Sequence, residues 1–237
     1  MSKILVISVI LATSLLVPIA RNQRDDDRSW TKSFPVEKDE LATSGRNPYF
    51  ILEPGYRLVL ENRRDRLVIT VLNETKLVDN VETRVVEERE TTNGKLIEVS
   101  RNFFAISKRT NSVYYFGEDV DIYKGGKVAS HKGQWLSGVS GATFGMMMPG
   151  QVQLKARHYQ EIAPGVAMDR AEIVSLSEIA ETPAGKFTNV LKVAESSPLE
   201  PGVLEHKYYA SGIGLVQYGS MKLVSYGQSS VAVKHGR

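Results

Sequence analysis

The sequence predicts an all-β fold: a large curved antiparallel sheet that forms an open or flattened barrel. Three observations lead there. Segments rich in Val, Ile, Tyr and Phe follow one another between Asn47 and Gly227. Asn, Asp and Gly turns separate them about every ten residues, the rhythm of a sandwich or barrel. Residue character alternates with a period of two, as in Phe187, Asn189, Leu191 and Val193 against Lys186, Thr188, Val190 and Lys192, which marks a strand with one wetter face. Apolar residues at helical spacing are scarce.

The strands follow from their turns. Residues 56–61 and 66–76 flank a charged bend from Asn62 to Asp65, and Asp79-Asn80 turns the chain into 81–90. Asn93-Gly94 is the strongest hairpin signal, because both residues tolerate the positive φ of a type I′ turn. It feeds 95–106, and Thr110-Asn111 leads to 113–116. Gly117 reads as a break before 119–124, and Gly125-Gly126 returns the chain through 127–131. Residues 136–157 read as a long loop carrying Gly138, Gly141, Gly145 and Gly150 around Met146, Met147 and Met148. Strands 171–181, 186–195, 203–210, 213–218 and 222–226 follow. An internal echo sets 72–90 (LNETKLVDNVETRVVEERE) beside 176–195, and 101–105 (RNFFA) beside 206–210 (HKYYA). Two similar meander halves would produce it, and so would two hairpins converging on common turn chemistry.

Composition excludes several function classes. A chain of 237 residues with 42% hydrophobic and 24% charged residues can bury a core unaided. The net charge is only +3 and the two signs interleave, so no basic block argues for nucleic acid. There is no cysteine, which removes disulfides, thiolate metal sites, a thiol nucleophile and a lipid-modified cysteine.

The amino terminus carries Lys3, then an apolar run to Ala20, then the charged series Arg21, Arg24, Asp25, Asp26, Asp27 and Arg28. That is the layout of a secretory signal peptide, here residues 1–20, so export to the periplasm, envelope or exterior is expected. An uncleaved anchor is the competing reading, and no later stretch is apolar enough to cross a membrane. Residues 21–44 read as a disordered linker, 45–227 as the β domain and 228–237 as a polar, flexible tail.

No motif for chemistry emerges. His131, His158, His206 and His235 share no metal-ligand spacing, and no Gly-x-Ser-x-Gly is present. Neither catalytic residues nor a metal or cofactor is expected. Glu118, Asp119 and Asp121 could hold a hard cation, although charges on an edge strand explain them as well. Aromatics are better placed than charges. With the methionines they nominate Trp135, Met146, Met147, Met148, Tyr123, Tyr159 and Tyr208 as ligand contacts, the Met loop serving as a flap or as a core plug.

Three segments carry a resemblance: Thr182 to Phe187 (TPAGKF), Pro198 to Gly202 (PLEPG), and Tyr208 to Val216 (YYASGIGLV). They are similar to those of a group of uncharacterised exported bacterial β proteins, in which such motifs mark turns and strand starts. The resemblance spans roughly Asn47 to Gly227 and implies a fold; no activity or site residue comes with it. In outline the group is similar to the open β-barrels of periplasmic lipoprotein carriers, an analogy of shape alone. The leading expectation is therefore a non-enzymatic envelope protein that holds an apolar or amphiphilic ligand, such as a lipid, or an envelope protein partner in a concave β face. A hydrolase using Asp/Glu with His131 or His158, and an assembly protein acting through strand edges, are the alternatives.

Overall fold

The computed structural model describes residues 29–229. The expected leader and the tail beyond residue 229 lie outside the described residues. Strands make up 64% of the structure, and no α-helix occurs among the described residues. After a 3-10 turn at Lys38–Glu40 come β1 (Leu41–Ala42), β2 (Gly45–Asn47), β3 (Phe50–Leu52), β4 (Tyr56–Glu61) and β5 (Asp65–Val78). Next are β6 (Val81–Thr92), β7 (Lys95–Ser107), β8 (Val113–Lys124), β9 (Lys127–Ser130), β10 (Trp135–Leu136) and β11 (Thr143–Met148). The chain ends with β12 (Arg157–Tyr159), β13 (Glu161–Ile162), β14 (Arg170–Thr182), β15 (Gly185–Ser196), β16 (Glu205–Ala210), β17 (Gly214–Tyr218) and β18 (Met221–Gln228).

The main sheet is antiparallel and runs β12-β14-β15-β16-β17-β18-β4-β5-β6-β7-β8-β11-β13. Its two end strands are separated in the chain by Gln160 alone, so the sheet curls almost into a closed barrel with one unsealed seam. The expected all-β, curved antiparallel architecture is what the chain adopts. Two-residue turns supply the sharp reversals. Asp79 and Asn80 (φ 50° and 60°) and Asn93 and Gly94 (φ 50° and 74°) both take the left-handed conformation that a type I′ hairpin needs. The sequence echo falls on like elements, the long hairpins β5–β6 and β14–β15. Each is bulged in its first strand, after Val71 and after Ile173.

Two apolar layers result. The inner one fills much of the barrel with Leu52, Leu60, Leu67, Phe104, Tyr115, Leu191 and Leu223. The outer one packs Val81, Val85, Phe103, Tyr114 and Phe116 beneath Phe34 and Leu41. Part of the expected linker is therefore not loose. Trp30 and Phe34 are buried, and β1 pairs with β7 through Leu41 and Ala42. The outer face of β6 to β8 is apolar and needs a cover, and this segment provides it.

Two further expectations are corrected. Gly117 does not break a strand; β8 runs through it with a bulge. At φ 136° a Cβ there would lie 2.3 Å from the Trp135 carbonyl oxygen, so only glycine lets β10 approach. Residues 136–157 are not a free loop either. Their middle is β11, paired with both β8 and β13. Gly150 lies so close to Thr110 that a Cβ would come within 1.7 Å of its carbonyl oxygen, and Asn47 Nδ2 donates to the Pro149 carbonyl at 2.9 Å. A segment fixed in this way is part of the wall, not a flap.

A carboxylate-rich chamber beside an apolar one

The period-two alternation of the strands builds the interior. Along the inward face of β6 the series is Val86, Glu88, Glu90; along β15 it is Leu191, Val193, Glu195; along β16 it is Tyr209, Lys207, Glu205. Each strand thus changes from apolar to charged. Register sets the change at one level, because Leu191 faces Tyr209, Val193 faces Lys207 and Glu195 faces Glu205. On the neighbouring strand β7 Phe104 gives way to Asn102, which pairs with Val86. The lumen is therefore apolar at one end and ionic at the other.

Two adjoining chambers remain open. The apolar one, about 90 Å³, lies among Leu58, Leu67, Ile69, Val86, Ile213 and Leu215. The ionic one, about 80 Å³, collects the carboxylates of Glu88, Glu90, Glu161, Asp169, Glu195 and Glu205, with Lys207 as the only basic side chain on its described wall. Glu88, Phe104, Met147, Lys207 and Tyr218 belong to both walls, so the chambers meet there.

Several of these groups hold one another. Lys207 Nζ meets Glu195 at 2.6 Å while its side chain stays 24% accessible. Burial alone would lower the Lys207 pKa, but the attraction of Glu195 outweighs it, and the ammonium is held charged well above its usual range. Gln160, at the seam, donates to Glu195 at 3.1 Å. Tyr218 donates to Glu205 at 2.7 Å; burial pushes its phenol up, Lys207 opposes this and Glu205 adds to it, so the proton stays on. Tyr115 donates to Asn102 Oδ1 at 2.5 Å and is likewise raised, first by burial and then by Glu118.

The residues nominated from sequence are dispersed. Met147 alone lines both chambers. It enters because β11 bulges between Met146 and Met148, which turns Met147 and Met148 together to the inner core and leaves Met146 on the outer one. Trp135 is buried, donates to Glu161 at 3.1 Å and sets its edge against Tyr115, 5.4 Å between centroids. It braces the ionic chamber without lining it. Tyr123 faces Val128 across β9, and Tyr208 sits under Lys192; neither lines a chamber. Tyr159 is buried beside Trp30 in the wall of an open groove on the outside.

The acidic trio also separates. Asp119 pairs with Lys76 at 2.8 Å, and Asp121 pairs with Arg101 at 3.3 Å and His131 at 3.0 Å, while Glu118 is buried. Gly117 lies in the bulge that precedes them. Among the described residues no group of acidic or imidazole side chains converges closely enough to hold a metal ion. His158 is buried on β12, its pKa pulled down by burial to about 4, and it lines neither chamber.

Sequence reasoning did not nominate Glu88, Glu195, Lys207, Glu205 or Tyr218 as site residues. The signal was present. Glu88 and Glu90 continue the core face begun by Val86, and Glu195 continues that of Val193, so a strict count of two places them inside. The fold and site together define a nearly closed antiparallel β barrel with an amphipathic interior. No protein-family model, curated protein or solved structure matches the chain.

Proposed function

We propose that this chain is a non-enzymatic binding barrel that holds a small amphiphile in its lumen, its apolar part among Leu58, Ile69 and Leu215 and its polar head among the carboxylates. The observation that carries this reading is the shared wall of the two chambers at Met147, Lys207 and Tyr218. An apolar pocket with a few converging polar groups is the usual form of a small-molecule site. The chambers are small beside the usual several hundred Å³, so the occupant is a short-chain compound, not a diacyl lipid. Met147 supplies adaptable apolar contact.

A hydrolase receives less support. His131 binds the Val120 carbonyl and Asp121 on the outside, and His158 lines neither chamber. Assembly through strand edges has little edge to use, because the sheet ends are three and two residues long and Thr31 bridges to β12. The amino-terminal leader motivates export as part of the same proposal: a reporter fused after residue 30 should appear outside the cytoplasm, and cytoplasmic retention would remove that part.

Calorimetric titration with 1-hexanol, hexylamine and hexanoate tests the binding reading. Saturable binding of at least one is expected, with loss in Ile69→Trp, which fills the apolar chamber. If the folded protein binds none of the three, or if the variant binds as the parent does, the lumen is not the site.

A further inference from the structure

We infer that the seam is an acid-operated latch: His158 keeps β12 in the sheet only as a neutral ring, and proton uptake by that ring detaches β12 from β14 and Thr31 while the long hairpins stay folded. The consequence for the lumen, release of its occupant through the opened seam, rests on the binding reading above. The latch itself does not.

The geometry of one short strand carries this. β12 has three residues, and His158 is the middle one, paired with Ala171 on β14 and bridged by Thr31 on its other edge. Arg157 and Tyr159 line the outer groove, so alternation turns His158 inward, to the side of Ala171 in the inner apolar layer. There it is 5% exposed, and its buried Nε2 has no hydrogen-bond partner among the described residues. A protonated imidazole carries N–H on both nitrogens, so Nε2 would bring a donor and a charge to a place that accepts neither. A strand held by so few pairs opens at less cost than the whole fold.

The surrounding charges do not offset this. On β14, Arg170 and Glu172 face Tyr159 and Arg157 and line the outer groove with them, as does Lys32 of the amino-terminal segment. β11 packs against β12 and carries no titratable side chain. On β13, Glu161 accepts from Trp135. Glu195 lies in the same inward row as His158, opposite Ala171, but one strand farther on, roughly 10 Å away at ordinary strand spacing. Lys207 and Gln160 already hold it. Burial alone accordingly pulls the His158 pKa from 6.5 to about 4.

On a detached β12 the ring regains its ordinary value. Above pH 6.5 both forms carry it neutral, and the latch is shut. Below pH 6.5 the detached strand takes up a proton that the docked strand refuses, so opening gains up to ten-fold per unit until about pH 4. Between pH 7.5 and 5 the gain is about thirty-fold.

Hydrogen exchange followed by mass spectrometry at pH 7.5 and 5, corrected for the intrinsic pH dependence of amide exchange, tests the latch on the parent and on His158→Gln. Exchange in 157–162 of the parent should rise about thirty-fold, 81–92 should not change, and the variant should exchange alike at both pH values. His158→Leu, which also has nothing to titrate, replaces His158→Gln if the latter does not melt cooperatively. An equal rise in parent and variant overturns the latch. Acceleration of 81–92 in step with 157–162 overturns it as well, since His158 would then act on the whole fold. Release is read from the dissociation rate of whichever of 1-hexanol and hexylamine binds, neither of which changes charge in this interval. It should quicken at pH 5 in the parent and not in the variant. A constant rate beside an opening seam overturns release alone. If 1-hexanol, hexylamine and hexanoate all fail to bind, the binding reading has failed while the latch stands.

Discussion

At Lys207 and Glu195 a buried ion pair sits where the strands change character. Such pairs seldom add net stability, because the cost of removing two charges from water is comparable to their attraction. Here one cost is reduced, since both side chains border an open chamber and remain 24% and 11% accessible. His158 presents the opposite case. It is buried beside the apolar inner layer, opposite Ala171, and burial pulls its pKa from 6.5 to about 4. The neutral ring is the form the fold accepts. Above pH 6.5 folded and unfolded chains both carry it neutral, and stability from this residue is complete. As pH falls from 6.5 toward 4 the unfolded chain takes up a proton that the folded one refuses, so stability drops by about 1.4 kcal/mol per unit, to roughly 3 kcal/mol in all. Urea midpoints measured from pH 7.5 to 4.5 should show this slope, and His158→Gln should lack it. An equal slope in both proteins would assign the acid sensitivity to other groups.

Among the elements, the hairpins were legible because their signals are local. Asn93-Gly94 needs nothing beyond its own backbone, and the structure places both residues at positive φ. Gly117 was misread because its reason is not local: β10 passes beside it, which no pattern in residues 113–124 reveals. The same holds for β11, whose glycine-rich surroundings look like a loop until the carbonyl of Gln160 is seen against Gly145, 2.3 Å from where a Cβ would stand. The two kinds of glycine should respond differently to substitution. Gly94→Ala meets nothing within 4 Å and should lose only the cost of strained φ, about 1 kcal/mol. Gly117→Ala adds a clash with backbone that cannot rotate away, and a loss above about 3 kcal/mol is expected. Thermal melts of the two variants give the order directly; equal losses would mean that β10 yields.

The lumen is a property of the whole molecule, which explains why its site was only half visible. Strand alternation places Glu88 and Glu195 on inward faces, yet nothing local to either says that the chain will curl until those faces meet. Closure depends on the seam between β12 and β13, and there the barrel relies on its amino-terminal segment. Thr31 forms a parallel bridge with His158, its N–H donating to the Arg157 carbonyl at 3.0 Å and its own carbonyl accepting from the Tyr159 N–H at 2.9 Å. Trp30 secures this contact, with the Arg170 guanidinium 4.4 Å over its ring and the Tyr159 ring 6.2 Å away. β12 pairs through three residues only, whereas the β5–β6 hairpin pairs along most of its length. Regions with few backbone pairs open locally below the global unfolding free energy. Trp30→Ala should therefore loosen the seam first. Hydrogen exchange followed by mass spectrometry should show faster exchange in 157–162, while 81–92 keeps its protection. Hexylamine, which would enter and leave where the wall is weakest, should exchange faster with its affinity changed little. Uniform acceleration across both segments would show that Trp30 supports the global fold and that the seam is not a separate unit.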